Sequence, residues 1–109
     1  MANTFKLKTK ANVGGTTVGI YTAPAATTTV AIGITMANTS GSGFNVGVGI
    51  TRAGTTEDVK LLKNAPIPQG SSLEFMGGNK VVLETTDTLT VDSDTNNSVD
   101  ASLTIMEIT

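Results

Sequence analysis

At 109 residues, with a net charge of −2, a 39% hydrophobic fraction and 4% aromatic residues, the chain fits one domain spanning 1–109 and can bury roughly two-thirds of its unfolded surface without staples. Cys and His are both absent, which excludes disulfides, thiolate metal sites, Ser-His catalysis and the commonest metal ligand. The mild acidity argues against a nucleic-acid partner, and no run reaches the roughly 20 apolar residues that cross a bilayer, so no membrane partner is expected.

The N-terminal MANTFKLKTKA lacks the apolar centre of a signal peptide, so synthesis in a cytoplasm is expected. Thr is the most abundant residue and Gly occurs 12 times, a composition suited to pleated strands and turns and poor for helices. The expected class is all-β, with a thin core of Val, Ile and Leu.

The first element expected in chain order is a hairpin. Phe5-Lys6-Leu7-Lys8-Thr9-Lys10 alternates, Gly14-Gly15 supplies a turn able to reach positive φ, and Thr17-Val18-Gly19-Ile20-Tyr21 resumes the strand pattern. Lys6, Lys8 and Lys10 share one face, a lysine row of the kind that blunts an edge strand or meets an acidic neighbour. Pro24 then breaks the ladder.

Val30, Ile32, Ile34 and Met36 follow with a period of two, which predicts that all four point to the core side of one strand. Phe44-Asn45-Val46-Gly47-Val48-Gly49-Ile50 repeats the pattern beyond the 39–43 turn, so a second hairpin is expected. Gly47 and Gly49 leave one face of that strand bare, as at a bulge, a bend or a close backbone approach.

Thr56 to Asn64 has apolar spacing that would also suit one helical turn, but it is too short for a stable helix and is read as a strand after a turn. Ser71 to Met76 and Lys80 to Glu84 flank Gly77-Gly78-Asn79 and predict a third hairpin. Thr88 to Val91 and Ser98 to Ile105 alternate on either side of the polar turn 92–97. The total is about eight or nine strands at short spacing, the density of a single antiparallel β-sandwich or jelly roll.

Chemistry is sparse. Ser and Thr hydroxyls have no histidine to activate them, and no strand-to-helix glycine loop cradles a phosphate. Glu74 and Glu84 can be placed opposite each other across the 76–79 turn as a carboxylate pair, but Tyr21 and three Phe are few platforms for a sugar, whether for hydrolysis or for binding alone.

Asp92-Ser93-Asp94-Thr95-Asn96-Asn97-Ser98-Val99-Asp100 offers oxygen ligands at alternate positions. An EF-hand loop wants Gly and Glu where this segment has Asn97 and Leu103, and an Asx-rich hairpin turn accounts for the same residues. No catalytic, cofactor-binding or metal residue is assigned, no cofactor is expected, and the chain is not expected to be an enzyme.

Every Lys and Arg lies at or before Lys80, whereas Glu84, Asp87, Asp92, Asp94, Asp100 and Glu107 follow it. Such polarity suits either head-to-tail association or two ordinary solvated faces.

The ordered set Ile20-Tyr21-Thr22-Ala23-Pro24-Ala25, Val30-Ala31-Ile32-Gly33-Ile34, Ala37-Asn38-Thr39-Ser40-Gly41, Ala65 to Glu74, Lys80 to Glu84, Asp87 to Val91 and Asn97 to Asp100 resembles small virion proteins of tailed bacteriophages, notably of cyanophages and other marine phages. The likeness covers most of the chain after residue 18 and leaves the lysine row outside it. It implies a β-sandwich capsid decoration (cement) protein on the capsid exterior, made in the host cytoplasm.

The implied form is a homo-oligomer, with a trimer favoured, and the implied partners are the major capsid protein or other virion proteins. A tail, neck or baseplate component is the alternative, and a receptor- or glycan-binding module is a further class.

Overall fold

The computed structural model describes residues 3–52, 57–75, 80–95 and 98–109. Among them run nine strands: β1 (Asn3–Val13), β2 (Val18–Thr22), β3 (Thr28–Asn38), β4 (Phe44–Arg52), β5 (Glu57–Ile67), β6 (Ser72–Phe75), β7 (Val81–Leu83), β8 (Thr88–Ser93) and β9 (Val99–Ile108). Sheet A has the order β1-β9-β3-β6, with β7 also paired to β3, and sheet B the order β2-β8-β4-β5; every pairing is antiparallel. This is the expected all-β sandwich.

Between the sheets lies a core of aliphatic side chains from alternate positions, with Ile34, Met36 and Leu83 from sheet A against Val46, Val48 and Leu89 from sheet B. Along β9, Val99, Ala101, Leu103 and Ile105 are buried in strict alternation, the period-two pattern of a strand with one face on the core.

The three expected hairpins do not form. β1 pairs with β9 and β2 with β8, so 14–17 carries the chain from one sheet to the other. The left-handed backbone there falls on Asn12 (φ 57°), ahead of the two glycines. β3 and β4 likewise lie in opposite sheets.

The crossing after β3 is braced by Asn38, whose Nδ2 donates to the Ser42 and Ile67 carbonyls while its Oδ1 accepts from Ser40 N and Oγ. β6 and β7 pair one after the other with the same edge of β3, so they continue each other along that edge and do not fold back together. The Gly77-Gly78-Asn79 turn lies outside the described residues, as do Thr56, Asn96 and Asn97. Turn residues report that the chain changes direction; which strand it meets afterwards is settled by burial of both apolar faces.

Bulges account for the remaining departures. In β3 the register with β9 shifts between Ala31 and Gly33, so Ile32 is an extra residue. Thr29 and Ala31 are buried before it and Ile34, Met36 and Asn38 after it, while Val30 and Ile32 are half-buried on the outer side. The expected inward row of four therefore holds only for Ile34 and Met36. β5 is a strand, as read, and its ambiguous spacing comes from two register shifts against β4, with Asn64 in the left-handed region (φ 55°).

Candidate interaction surface

β9 carries Asp100, Ser102, Thr104, Met106 and Ile108 on the face of sheet A that points away from the core. Register across the sheet aligns Phe5 of β1 with Met106, Met106 with Val30 of β3, and Val30 with Val82 of β7, an uncharged row across four strands. Leu7, Ile32 and Ile108 flank it. Phe5, Leu7 and Val82 are 69%, 64% and 57% exposed.

The strand residues that carry charge on this face are Glu74 and Asp100, both toward the other end, where the partners are Thr35 and Ala37. The outer side of sheet B is different in kind. There Thr22 and Thr88 hydrogen-bond each other at 2.9 Å, Thr51 donates to Asp58 at 2.9 Å, and Lys60 lies 3.7 Å from Asp92. A two-layer sandwich in water on both sides would have polar residues on both outer faces; the apolar row makes the outer side of sheet A the candidate contact surface.

Sequence reading missed this row because alternation puts Phe5 and Leu7 on one face and the lysines on the other without saying which face meets the core. The register decides it: Lys6, Lys8 and Lys10 align with Ile105, Leu103 and Ala101, which face the core. At the edge of the sandwich Lys6 Nζ meets Glu107 at 2.8 Å and Lys8 Nζ stands 6.0 Å from the Tyr21 ring centroid.

Buried Tyr21 donates to Glu107 at 2.6 Å and shares a 2.8 Å hydrogen bond with Thr29. Burial, then the neighbouring carboxylate, pushes the Tyr21 hydroxyl up to about 12, while the hydrogen bonds from Lys6 and Tyr21 hold Glu107 below its ordinary value. β1 does lie at a sheet edge, and its lysine row closes one flank of the sandwich.

The other candidate groups do not gather into a site. Glu74 and Glu84 do not face each other: Glu74 pairs with Thr35, while Leu83 beside Glu84 pairs with Thr29, a separation of roughly 20 Å along β3. Glu84 instead meets Arg52, which also reaches buried Asp87 at 3.0 Å.

The segment 92–100 is a crossing between sheets and not a hairpin turn. Asp92 accepts from Thr17, Asp94 from Asn45 N and Asp100 from Asn12 N, and Ser93 Oγ accepts from Thr95 N to shape the bend. Among the described residues no three acidic side chains gather into a set that could hold a metal ion. Gly47 and Gly49 make their close approach within the chain: a Cβ on Gly47 would stand 2.5 Å from Asp92 Oδ1, and one on Gly49 2.9 Å from the Val59 carbonyl.

No protein-family model and no curated protein matches the sequence significantly. Solved structures do match over nearly the whole chain. One is the capsid of Helicobacter pylori bacteriophage KHP30, described as acid-stable, at TM-score 0.54 and 7% identity over 98% of this chain and 87% of that one. A second is from Bacillus endospore appendages, described as disulfide-linked pili, at 0.56 and 14% over 99% and 87%. A third is from the T13 particle of infectious bursal disease virus, at 0.59 and 12% over 96% of this chain but 30% of that one.

The fold is one that capsid and pilus subunits share. These similarities extend to the sandwich, and this chain spans under a third of the infectious bursal disease virus protein.

Proposed function

We propose that residues 1–109 form a single non-enzymatic structural domain of a phage virion, a decoration protein on the capsid exterior that reinforces contacts between neighbouring major capsid proteins. The observation that carries this reading is the apolar outer face of sheet A on a sandwich whose likenesses include capsid subunits. Its partners are the major capsid protein, other virion proteins or further copies of itself; the trimer implied by the sequence resemblance is a question of copy number that solution mass reads directly.

The sequence supplies no His or Cys, and the acidic side chains of the last third hold loops and ion pairs, which suits adhesion better than catalysis. Electron microscopy of intact particles is the test. Symmetric, high-copy density for this chain on the outside of heads is the expected result; density confined to the tail, neck or baseplate sinks the capsid reading.

A further inference from the structure

Among the described residues the two sheets end in four edges, and three of them are closed to a further strand by their shape. β2 is five residues long, with a register shift between Gly19 and Tyr21. β5 has two register shifts against β4, carries Pro66 and holds Asn64 in the left-handed region. β6 and β7 share one edge as pieces of four and three residues. Shortness, bulges and proline are the devices by which sheets keep stray strands from adding on.

β1 is the exception. Its eleven residues pair on one side with β9, in unbroken register from Asn3 to Lys10, and no strand pairs with the other side. Alternate residues of such a strand turn both N–H and C=O away from its partner, so β1 offers a regular row of backbone donors and acceptors. Lys8 is half-buried and Val13 buried; the rest of the strand is exposed.

What guards this edge is charge. Lys6, Lys8 and Lys10 lie on one face of β1 and Phe5 and Leu7 on the other. Glu107 answers Lys6 at 2.8 Å, whereas among the described residues neither Lys8 nor Lys10 has a carboxylate within ion-pair distance. Two β1 edges brought together antiparallel about Lys8 would set Lys8 against Lys8 and Lys6 against Lys10, so a second copy is repelled. A strand of opposite charge is not. A bulge or a proline excludes every strand, but a lysine row excludes basic strands and attracts acidic ones.

We propose that the free edge of β1 takes up an extended segment of another protein as an added strand, one with carboxylates at alternate positions and apolar residues between them. The carboxylates lie beside Lys8 and Lys10, and the apolar side chains beside Phe5 and Leu7. In this mode of recognition main-chain hydrogen bonds supply the affinity and the side chains choose the partner. Such a partner is defined by its sequence pattern, inside a virion or outside one, so the virion reading can fail without it.

The test is a titration of the purified chain with a peptide of alternating Glu and Val, about eight residues long to match the regular run of β1, followed by amide hydrogen exchange. Binding is expected, and alternate amides of β1 should become protected from exchange as they gain partners. A peptide of alternating Lys and Val should not bind. The double variant Lys8→Gln, Lys10→Gln should bind the acidic peptide about tenfold more weakly, the worth of two exposed ion pairs. Should it fail to fold, Lys10→Glu, at an exposed position, decides instead.

No binding at millimolar peptide overturns the proposal. So does binding that leaves the β1 amides unprotected, equal binding of the basic peptide, or undiminished binding by a folded variant.

Discussion

Ile32 and Ile34 sit two apart in an alternating run, yet the bulge between Ala31 and Gly33 sends them to opposite sides of sheet A. Ile34→Asp therefore places an unpaired carboxylate in the core, a cost of several kcal/mol against a total stability of about 5–15 kcal/mol. Ile32→Asp, on the outer face, should change stability by about 1 kcal/mol or less. Thermal melts of the two variants check this; equal losses would mean that Ile32 faces inward after all.

Glu107 gives a prediction with a direction in pH. Its folded-state pKa lies below the ordinary value of 4.5, so its contribution is present above about pH 4.5 and is lost as pH falls through the lower folded value. Tyr21, raised to about 12, contributes fully below pH 10, and its contribution disappears only as pH rises through the folded value. Glu107→Ala should cost about 2 kcal/mol, since it leaves the buried Tyr21 hydroxyl without its carboxylate partner, and should flatten the acid limb of the stability profile. An unchanged acid limb in the variant would show that other carboxylates control it.

Among the elements, β4 shows how closely sequence and neighbours are matched. Its outer face is glycine because β5 and β8 occupy the space: a Cβ on Gly47 would also stand 3.2 Å from the Leu62 carbonyl oxygen. Gly47→Ala should cost about 1–3 kcal/mol through this overpacking, whereas Gly41→Ala, with nothing within 4 Å, should be close to neutral. Denaturant midpoints for the pair make the comparison.

The strands themselves were readable, because alternation marks a half-buried strand wherever it occurs. Their pairing was not. The 39–43 segment contains the Gly and Ser of a turn, and the same residues serve a crossing between sheets once Asn38 braces it. Gly47 and Gly49 pointed to a bulge or close approach, and the register of β4 with β5 does shift there, but the β3 bulge was invisible, because one extra residue alters which side chains face inward without altering composition.

For the molecule as a whole, the split of charge along the sequence is undone by folding. Glu107 of the acidic third meets Lys6, Asp92 meets Lys60, and Glu84 and Asp87 meet Arg52. What sets one side of the particle apart from the other is hydrophobicity, apolar outside sheet A and threonine-rich outside sheet B. That contrast could not be read from the chain, because Phe5, Val30, Val82 and Met106 come from four separate strands and become a row only when β1, β9, β3 and β7 align. The absence of His and Cys was legible at once, and with it the lack of the commonest general base and thiolate nucleophile.

The register that aligns Phe5 with Met106 also places Asn3 opposite Ile108, so the beginning of β1 and the end of β9 lie side by side at one end of sheet A. A pulling force applied between those two points would open the β1–β9 ladder one rung at a time, like a zipper, instead of shearing all its hydrogen bonds at once. The opposite end of the ladder, where Val13 pairs with Val99, would open in the same way, whereas a pull along the strands would load the rungs together, so the site of anchorage decides how much load the same fold withstands.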